Sequence, residues 1–448
     1  MRAIVQSLIG FLDGSYVDRS ACDAGFGRMH ARDAIGDRIH LALACLGLVL
    51  LCGPSTVTEL AFAPLLVFFF VRTFNTFPVW IHGVGQPAVL AAALLFAWLA
   101  ITLLWSEDPQ QGITELNRMR WFGLVPLVYP VIERRGVLVH ALAVGLMLAT
   151  AAQLLSAVPV VRELFPFRHP GRVTGWWSPV VGGTIQVGAI GLFLAPALVG
   201  AGRARWLGVV GLALSLSGLL ASGTRGAWVS AAALLLIAVP LLLWRCGPRV
   251  RRSAGMVLAA VCVAGLIAGF VFRDGITLRV DQGVEEIRSA LDGEYATPTG
   301  ARIAVMRMAV GEGLSAPLGG RGAGSVLALA IERFGEDEPA FRLAHAHSTP
   351  AHLLVTGGVP AVLLGGLLFA VLLRNAWKNA PDDPRRALEL GIPLAVLGLV
   401  LASAFDVVLI NMQVAALLAA LAALAPAYIP KTEPSARAGT DGRPIASR

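Results

Sequence analysis

Charge is scarce in this chain. Lys, Arg, Asp and Glu make up 14% of its 448 residues, against roughly 25% in a soluble domain. Cysteine is scarce too. Cys22, Cys45, Cys52, Cys246 and Cys262 form no CxxC pair, and none lies in the long polar segment 273–350. Neither a disulfide framework nor a thiolate metal site is implied. No internal repeat of the inverted-repeat transporter kind is visible. The first 38 residues are too polar for a signal peptide, so the first apolar helix is expected to act as the insertion signal.

Apolar residues fill the space that charge leaves. They reach 56%, and the mean hydropathy is +0.72. Stretches such as VVGGTIQVGAIGLFLAPALVG and MVLAAVCVAGLIAGFVF match the ~20 residues that cross a hydrocarbon core. A backbone in that core must satisfy its own hydrogen bonds, and the runs lack the alternation of barrel strands, so they are helices. The expectation is an all-α, polytopic integral membrane protein of about 12 transmembrane helices. They fall near 39–54, 57–72, 86–105, 119–132, 136–157, 181–200, 206–222, 227–244, 254–272, 351–374, 388–405 and 408–428. The layout is an N-terminal arm (1–38), helices one to nine (39–272), a large loop (273–350), helices ten to twelve (351–428) and a disordered tail (429–448).

The net charge of +8 would suggest nucleic acid in a soluble protein; here it reports orientation. One set of short loops holds thirteen basic residues and the alternate set six. Both termini belong to the first set, which the positive-inside rule places in the cytoplasm. The large loop is then extracytoplasmic. Within it, DQGVEEIRSALDG and RIAVMRMAVGEGL have the three- and four-residue spacing of amphipathic helices, followed by the Gly-rich PLGGRGAGSV.

Three features bear chemistry. In HAHSTPAHLLVTGGVPA, His345, His347 and His352 crowd the start of the tenth helix. They are open to three readings: a metal set, polar residues at an interfacial helix start, or one catalytic base. The first lacks a nearby cysteine or carboxylate at ligand spacing, so no metal and no cofactor is expected. A neutral imidazole can take a proton from a hydroxyl near neutral pH. The second feature is Arg225 in ASGTRGAWVS, a cation between two apolar helices. It either snorkels to the interface or serves a polar site. The third is Arg279, Arg302 and Arg321, whose guanidinium forks suit phosphate oxygens, though each alone is equally a solvated surface charge.

Taken in order, these motifs resemble the O-antigen ligase and O-antigen polymerase superfamily of bacterial envelope glycosyltransferases. SGTRGAWVS is similar to its Ser-Arg-Gly motif, with Arg225 on the arginine. TGARIAVMRMAV and APLGGRGAGS resemble its Arg-containing helix and Pro-Leu-x-Gly-x-Gly-x-Gly turn, matching Arg302, Pro317, Leu318, Gly320, Gly322 and Gly324. GRVTGWWSP resembles the Arg-x-x-Gly segment at Arg172 and Gly175. His347 and Gly358 match the motif ending the large loop, whereas Ser348, Thr356 and Ala361 replace its Asn, Glu and second Gly.

The resemblance implies a periplasmic large loop between helices nine and ten in a multi-pass inner-membrane protein. It implies transfer of a glycan from undecaprenyl diphosphate to a hydroxyl acceptor at the periplasmic face, without metal or nucleotide. Length and order of features favour the ligase, with lipid A–core oligosaccharide as acceptor. Alternatives are an O-antigen polymerase, a protein O-oligosaccharyltransferase or, from another class, a lipid-linked-glycan flippase. Partners are membrane lipid, the lipid-linked donor and the acceptor, not nucleic acid. His347 is implied as the base, with His345 and His352 dispensable, and Arg225, Arg279, Arg302 and Arg321 as diphosphate ligands.

Reporter fusions at Gly300 and Asn379 should give periplasmic and cytoplasmic signals respectively. The reverse pattern would end this topology.

Overall fold

A computed structural model describes residues 10–12, 14–163, 172–247, 255, 273–335 and 343–430. Every regular element among them is helical. The expected ninth helix, 254–272, lies outside the described residues apart from Gly255, and so does the tail from Lys431.

The chain opens with α1 (Arg19–Arg32), capped by Asp18, and α2 (Ala34–Leu50), capped by Asp33. The helix expected over 57–72 is instead α3 (Ser55–Leu60) and α4 (Ala63–Val71), interrupted at Ala61–Phe62. At Arg72 the path bends by 115° into α5 (Thr73–Val84), a stretch with no helix in the sequence reading. The bend has a cause. Arg72 is buried and paired with Asp33 and Asp37 at 2.8 and 2.6 Å, and a buried guanidinium must stay with its carboxylates.

Next come α6 (Pro87–Thr102), α7 (Pro109–Arg118) and α8 (Arg135–Leu155). The helix expected over 119–132 is a string of short helical pieces. Pro126 and Pro130 lie within it, and each removes a backbone donor and crowds the preceding turn. Then follow α9 (Pro179–Val199), α10 (Arg203–Ser222) and α11 (Arg225–Cys246). The large polar segment holds α12 (Arg273–Leu291), α13 (Pro298–Ser315) and α14 (Val326–Phe334), so both expected amphipathic helices form. The last are α15 (Thr349–Lys378), α16 (Ala387–Ala402) and α17 (Met412–Ala423). Among the described residues, six helices are long and apolar enough to cross a membrane, or seven if the bent pair at Arg72 is one span. The expected ninth helix lies outside these residues, Pro109–Leu155 runs through the helices expected at 119–132 and 136–157 as one stretch, and α2, α16 and α17 are shorter than those six.

Helix α9 is the centre. Every residue from Gly182 to Val199 is buried, with α10 and α16 its main neighbours. Apolar lipid supplies little drive for helices to associate, so close packing of small residues must. Gly391 of α16 lies so near α9 that an added Cβ would overlap the carbonyl oxygen of Leu192, and Gly191 meets the backbone at Leu394. At opposite ends of the bundle, loops join in two groups. Thr349 donates its amide to Ser403 O at 2.7 Å and Trp176 its indole N–H to Cys52 O at 3.0 Å. At the other end Arg135 reaches Asn379 O at 2.7 Å and Arg245 reaches Ala380 O at 2.9 Å. These are the alternate and the basic loop sets of the sequence.

Helix α15 is broken. Gly358 has φ +68°, and Pro360 follows. The groups freed by the break are satisfied from outside: Trp98 donates to Gly357 O at 2.7 Å, Arg321 N to Val355 O at 2.6 Å, and Val359 N donates to Pro317 O at 2.8 Å. The Gly-rich turn is therefore a plug for a helix break, in keeping with the rule that irregular backbone needs protein partners in a membrane.

Gly391→Leu should lower the thermal midpoint in detergent by several degrees, overpacking costing about 1–3 kcal/mol or more. An unchanged midpoint would show that α9 and α16 can separate freely.

Candidate functional site

The loop before α15 carries the one non-glycine residue with positive φ among the described residues, His347 at +52°. Such a backbone costs about 1–3 kcal/mol and persists only where its surroundings hold it. The restraints are next door. Ser348 caps α15, and Thr349 is clamped on both sides: its amide to Ser403, its hydroxyl donating to Asp406 O at 2.8 Å and accepting from Val408 N at 3.1 Å.

The clamp brings the 403–411 turn against the histidines. Asp406 is 2% exposed. Its carboxylate accepts from Val407 N (2.8 Å), Asn411 Nδ2 (2.7 Å) and Thr184 Oγ1 (3.1 Å). The rings of His345 and His347 meet edge to face with centroids 4.3 Å apart. One ligand atom from each of His345, His347 and Asp406 lies within 4.8 Å of the others. The sequence reading set a metal aside for want of a carboxylate; folding supplies one from about sixty residues downstream. These three are the residues that could hold a cation.

Both ring nitrogens of His347 and Nδ1 of His345 are buried with no hydrogen-bond partner among the described residues. Burial, followed by the influence of His345, Arg302 and His352, pushes the His347 pKa down to about 2. An imidazolium there would lose its hydration and sit among like charges. His352 is in a different situation. Its Nε2 is 3.2 Å from Glu115 Oε2 of α7, both residues being buried, so one nitrogen is already committed. His345, in the loop two residues earlier, meets the His347 ring.

The arginines divide. Arg225 opens α11 after Gly223, which ends α10 at φ +63°. Its Nη2 donates to Glu286 of α12 at 2.8 Å and to Thr299 of α13 at 3.0 Å. It thereby ties two helices of the large segment, α12 and α13, to the bundle. Gly226 comes close to Phe405, where a Cβ would lie 2.7 Å from the Phe405 Cβ. The Arg-Gly pair thus serves two contacts at once. Arg302 is within electrostatic reach of His347, Arg225, Glu286 and Asp406. Arg321 forks instead onto Glu312 at 3.0 and 2.7 Å, on the exposed side of the Gly-rich turn. Arg279 lies on α12, and its side chain is outside the described residues. Folding therefore gathers His345, His347, Arg225 and Arg302, and it pairs Arg321 elsewhere.

Asp406, Thr184 and Glu286 were not singled out from sequence. Asp406 did leave a signal: it is the lone charge in LASAFDVVLINMQ between two apolar helices, and such residues are functional candidates by default.

Residues 210–366 match the family described as O-antigen ligase. No curated protein matches the chain. The matched span contains all four arginines and all three histidines of the sequence reading, but not Asp406.

Arg225→Met should loosen α12 and α13, because one nitrogen, Nη2, donates to both Glu286 and Thr299 and the variant offers a donor to neither. Hydrogen bonds to a charged group are worth about 1.5–3 kcal/mol, so limited trypsin cleavage at the exposed Arg288 should quicken about tenfold. Unchanged cleavage would mean that these helices are held without Arg225.

Proposed function

We propose that this chain, a member of the O-antigen ligase superfamily by its match over residues 210–366, transfers a glycan from undecaprenyl diphosphate to a hydroxyl of lipid A–core oligosaccharide. The observation that carries the reading is His347. It is held in a strained backbone conformation at the head of α15, with both ring nitrogens unpaired among the described residues, so that the unprotonated one can accept, and with Arg302 at hand.

In the proposed reaction, His347 takes the proton of the acceptor hydroxyl, and that oxygen attacks the anomeric carbon of the donor's first sugar. The bond from this carbon to the diphosphate oxygen breaks, and undecaprenyl diphosphate leaves with the electron pair. Direct displacement inverts the anomeric centre. Arg302 and Arg225 neutralise charge growing on the diphosphate, with Arg279 assigned to the same task from sequence. A well-aimed donor to such charge is worth ~10²–10³ in rate. Arg321, drawn to Glu312, is the least suited of the four. The reaction sits at the periplasmic face of the inner membrane, with both termini cytoplasmic, and asks nothing of a metal.

The electrostatics give the base a switch. Without substrate, His347 faces burial and a nearby cation, which hold its proton affinity low. A bound diphosphate offsets Arg302 and Arg225 and raises that affinity toward the range where a base works well at neutral pH. His345, edge-on to His347 and beside Asp406, is a positioning residue in this scheme.

His347→Ala should lower transfer by ~10²–10⁴ with donor binding retained. In the wild type the acidic limb of kcat/KM, which reports the free enzyme, should lie below the ordinary histidine range. The limb of kcat, which reports the bound state, should lie higher, and coincident limbs would remove the switch. Transfer should survive EDTA; loss restored by one divalent cation would turn His345, His347 and Asp406 into a ligand set.

A further inference from the structure

Two cavities lie beside the elements that hold His347, one at the head of α15 and one at the 403–411 turn, and their linings differ. One, of about 480 Å³, is bounded by Met306, Val310, Pro350 and Ala351, with Arg307 and Ser348 at its polar edge. The other, of about 390 Å³, is bounded by Ser55, Thr56, Glu59, Arg118, Asn411 and Gln413. Both fall in the ~300–1,000 Å³ range of small-molecule sites. Only the second is predominantly polar.

The polar cavity is built from separate parts of the chain that the fold joins. Gln413 Nε2 donates to Ser55 Oγ at 2.9 Å, linking α17 to α3. Arg120 pairs with Glu59 at 3.0 Å, and Arg118 approaches the same carboxylate at 3.9 Å. Asn411 donates to Asp406, the carboxylate beside His345 and His347. The cavity wall and the support of the proposed base are therefore one turn, 403–411.

We propose that this cavity seats a neutral saccharide unit of the acceptor. Sugar hydroxyls are at once donors and acceptors, and the lining offers hydroxyls and carboxamides with the same duality. Glu59 lies between Arg118 and Arg120, so neither guanidinium faces the cavity without a carboxylate, and a phosphate belongs with Arg225 and Arg302 instead. The apolar cavity on the other flank suits a lipid chain rather than a sugar. The assignment rests on the glycan-transfer reading, and it adds where the acceptor is recognised and by which residues.

The test measures binding apart from turnover. Full-length protein in detergent is titrated with lipid A–core, and separately with undecaprenyl diphosphate, for wild type, Thr56→Trp and Gln413→Leu. Thr56→Trp fills the cavity, whereas Gln413→Leu removes a polar partner at similar volume. Both variants should bind lipid A–core about tenfold or more weakly and undecaprenyl diphosphate as the wild type does. The His347→Ala variant should bind both normally. Unchanged lipid A–core affinity in the two cavity variants, with thermal midpoints retained, would overturn the proposal. So would equal loss of both ligands, or no saccharide binding by the wild type. A wild type that binds lipid A–core at this cavity yet transfers nothing would sink the reaction while leaving the site standing.

Discussion

A carboxylate cut off from water must find hydrogen-bond donors, and Asp406 finds three: a backbone amide, a carboxamide and a hydroxyl from α9. An unpaired charge in such a place would cost far more than any one contact returns. The turn around Asp406 is consequently shaped by the need to satisfy it. Thr349 then locks the head of α15 to that turn, and His347, two residues earlier, is carried into the left-handed backbone region. The position of the imidazole follows from the satisfaction of a buried acid.

The second determinant is the collection of positive charge. A unit charge about 5 Å away at an effective dielectric of about 20 is worth about 3 kcal/mol, roughly a hundredfold in proton affinity. Burial first, and then Arg302 close by, bias the histidine toward its neutral form, and Arg225 adds to the positive charge around Arg302. The same cations create a demand for an anion. Glu286 meets part of it by pairing with Arg225, at side-chain exposures of 14% and 27%. Accepting a diphosphate means sharing or loosening that pair, so the grip of the bundle on α12 and α13 and the binding of donor are coupled in the proposed scheme.

Irregular backbone recurs in the bundle. The break at Gly358, the Gly-rich turn that satisfies it and the string of short helical pieces after α7 are all places where a continuous helix would have been simpler. Within a membrane protein such backbone persists only where other protein groups pair with it, and here Trp98, Arg321 and Pro317 do so. Small residues at the contacts of α9 with α16 keep the rest of the bundle rigid enough to hold these exceptions.

The sequence by itself determined the helical, membrane-type character of the chain, because twenty apolar residues in a row are a local property. It likewise located α8 to α11 and α15 to within a few residues, and the second amphipathic helix nearly so, whereas α12 begins eight residues before the expected DQGVEEIRSALDG. The Arg225 and His347 motifs were legible because each is compact. Only the tertiary structure decided the bend at Arg72, since it answers to Asp33 and Asp37, nearly forty residues away in the chain. It alone brought Asp406 to His345 and His347, tied Arg225 to Glu286, paired His352 with Glu115 and gave Arg321 to Glu312. Periodicity and spacing report what neighbours along the chain do; a buried charge chooses its partner by proximity in space, and that choice exists only once the helices have packed.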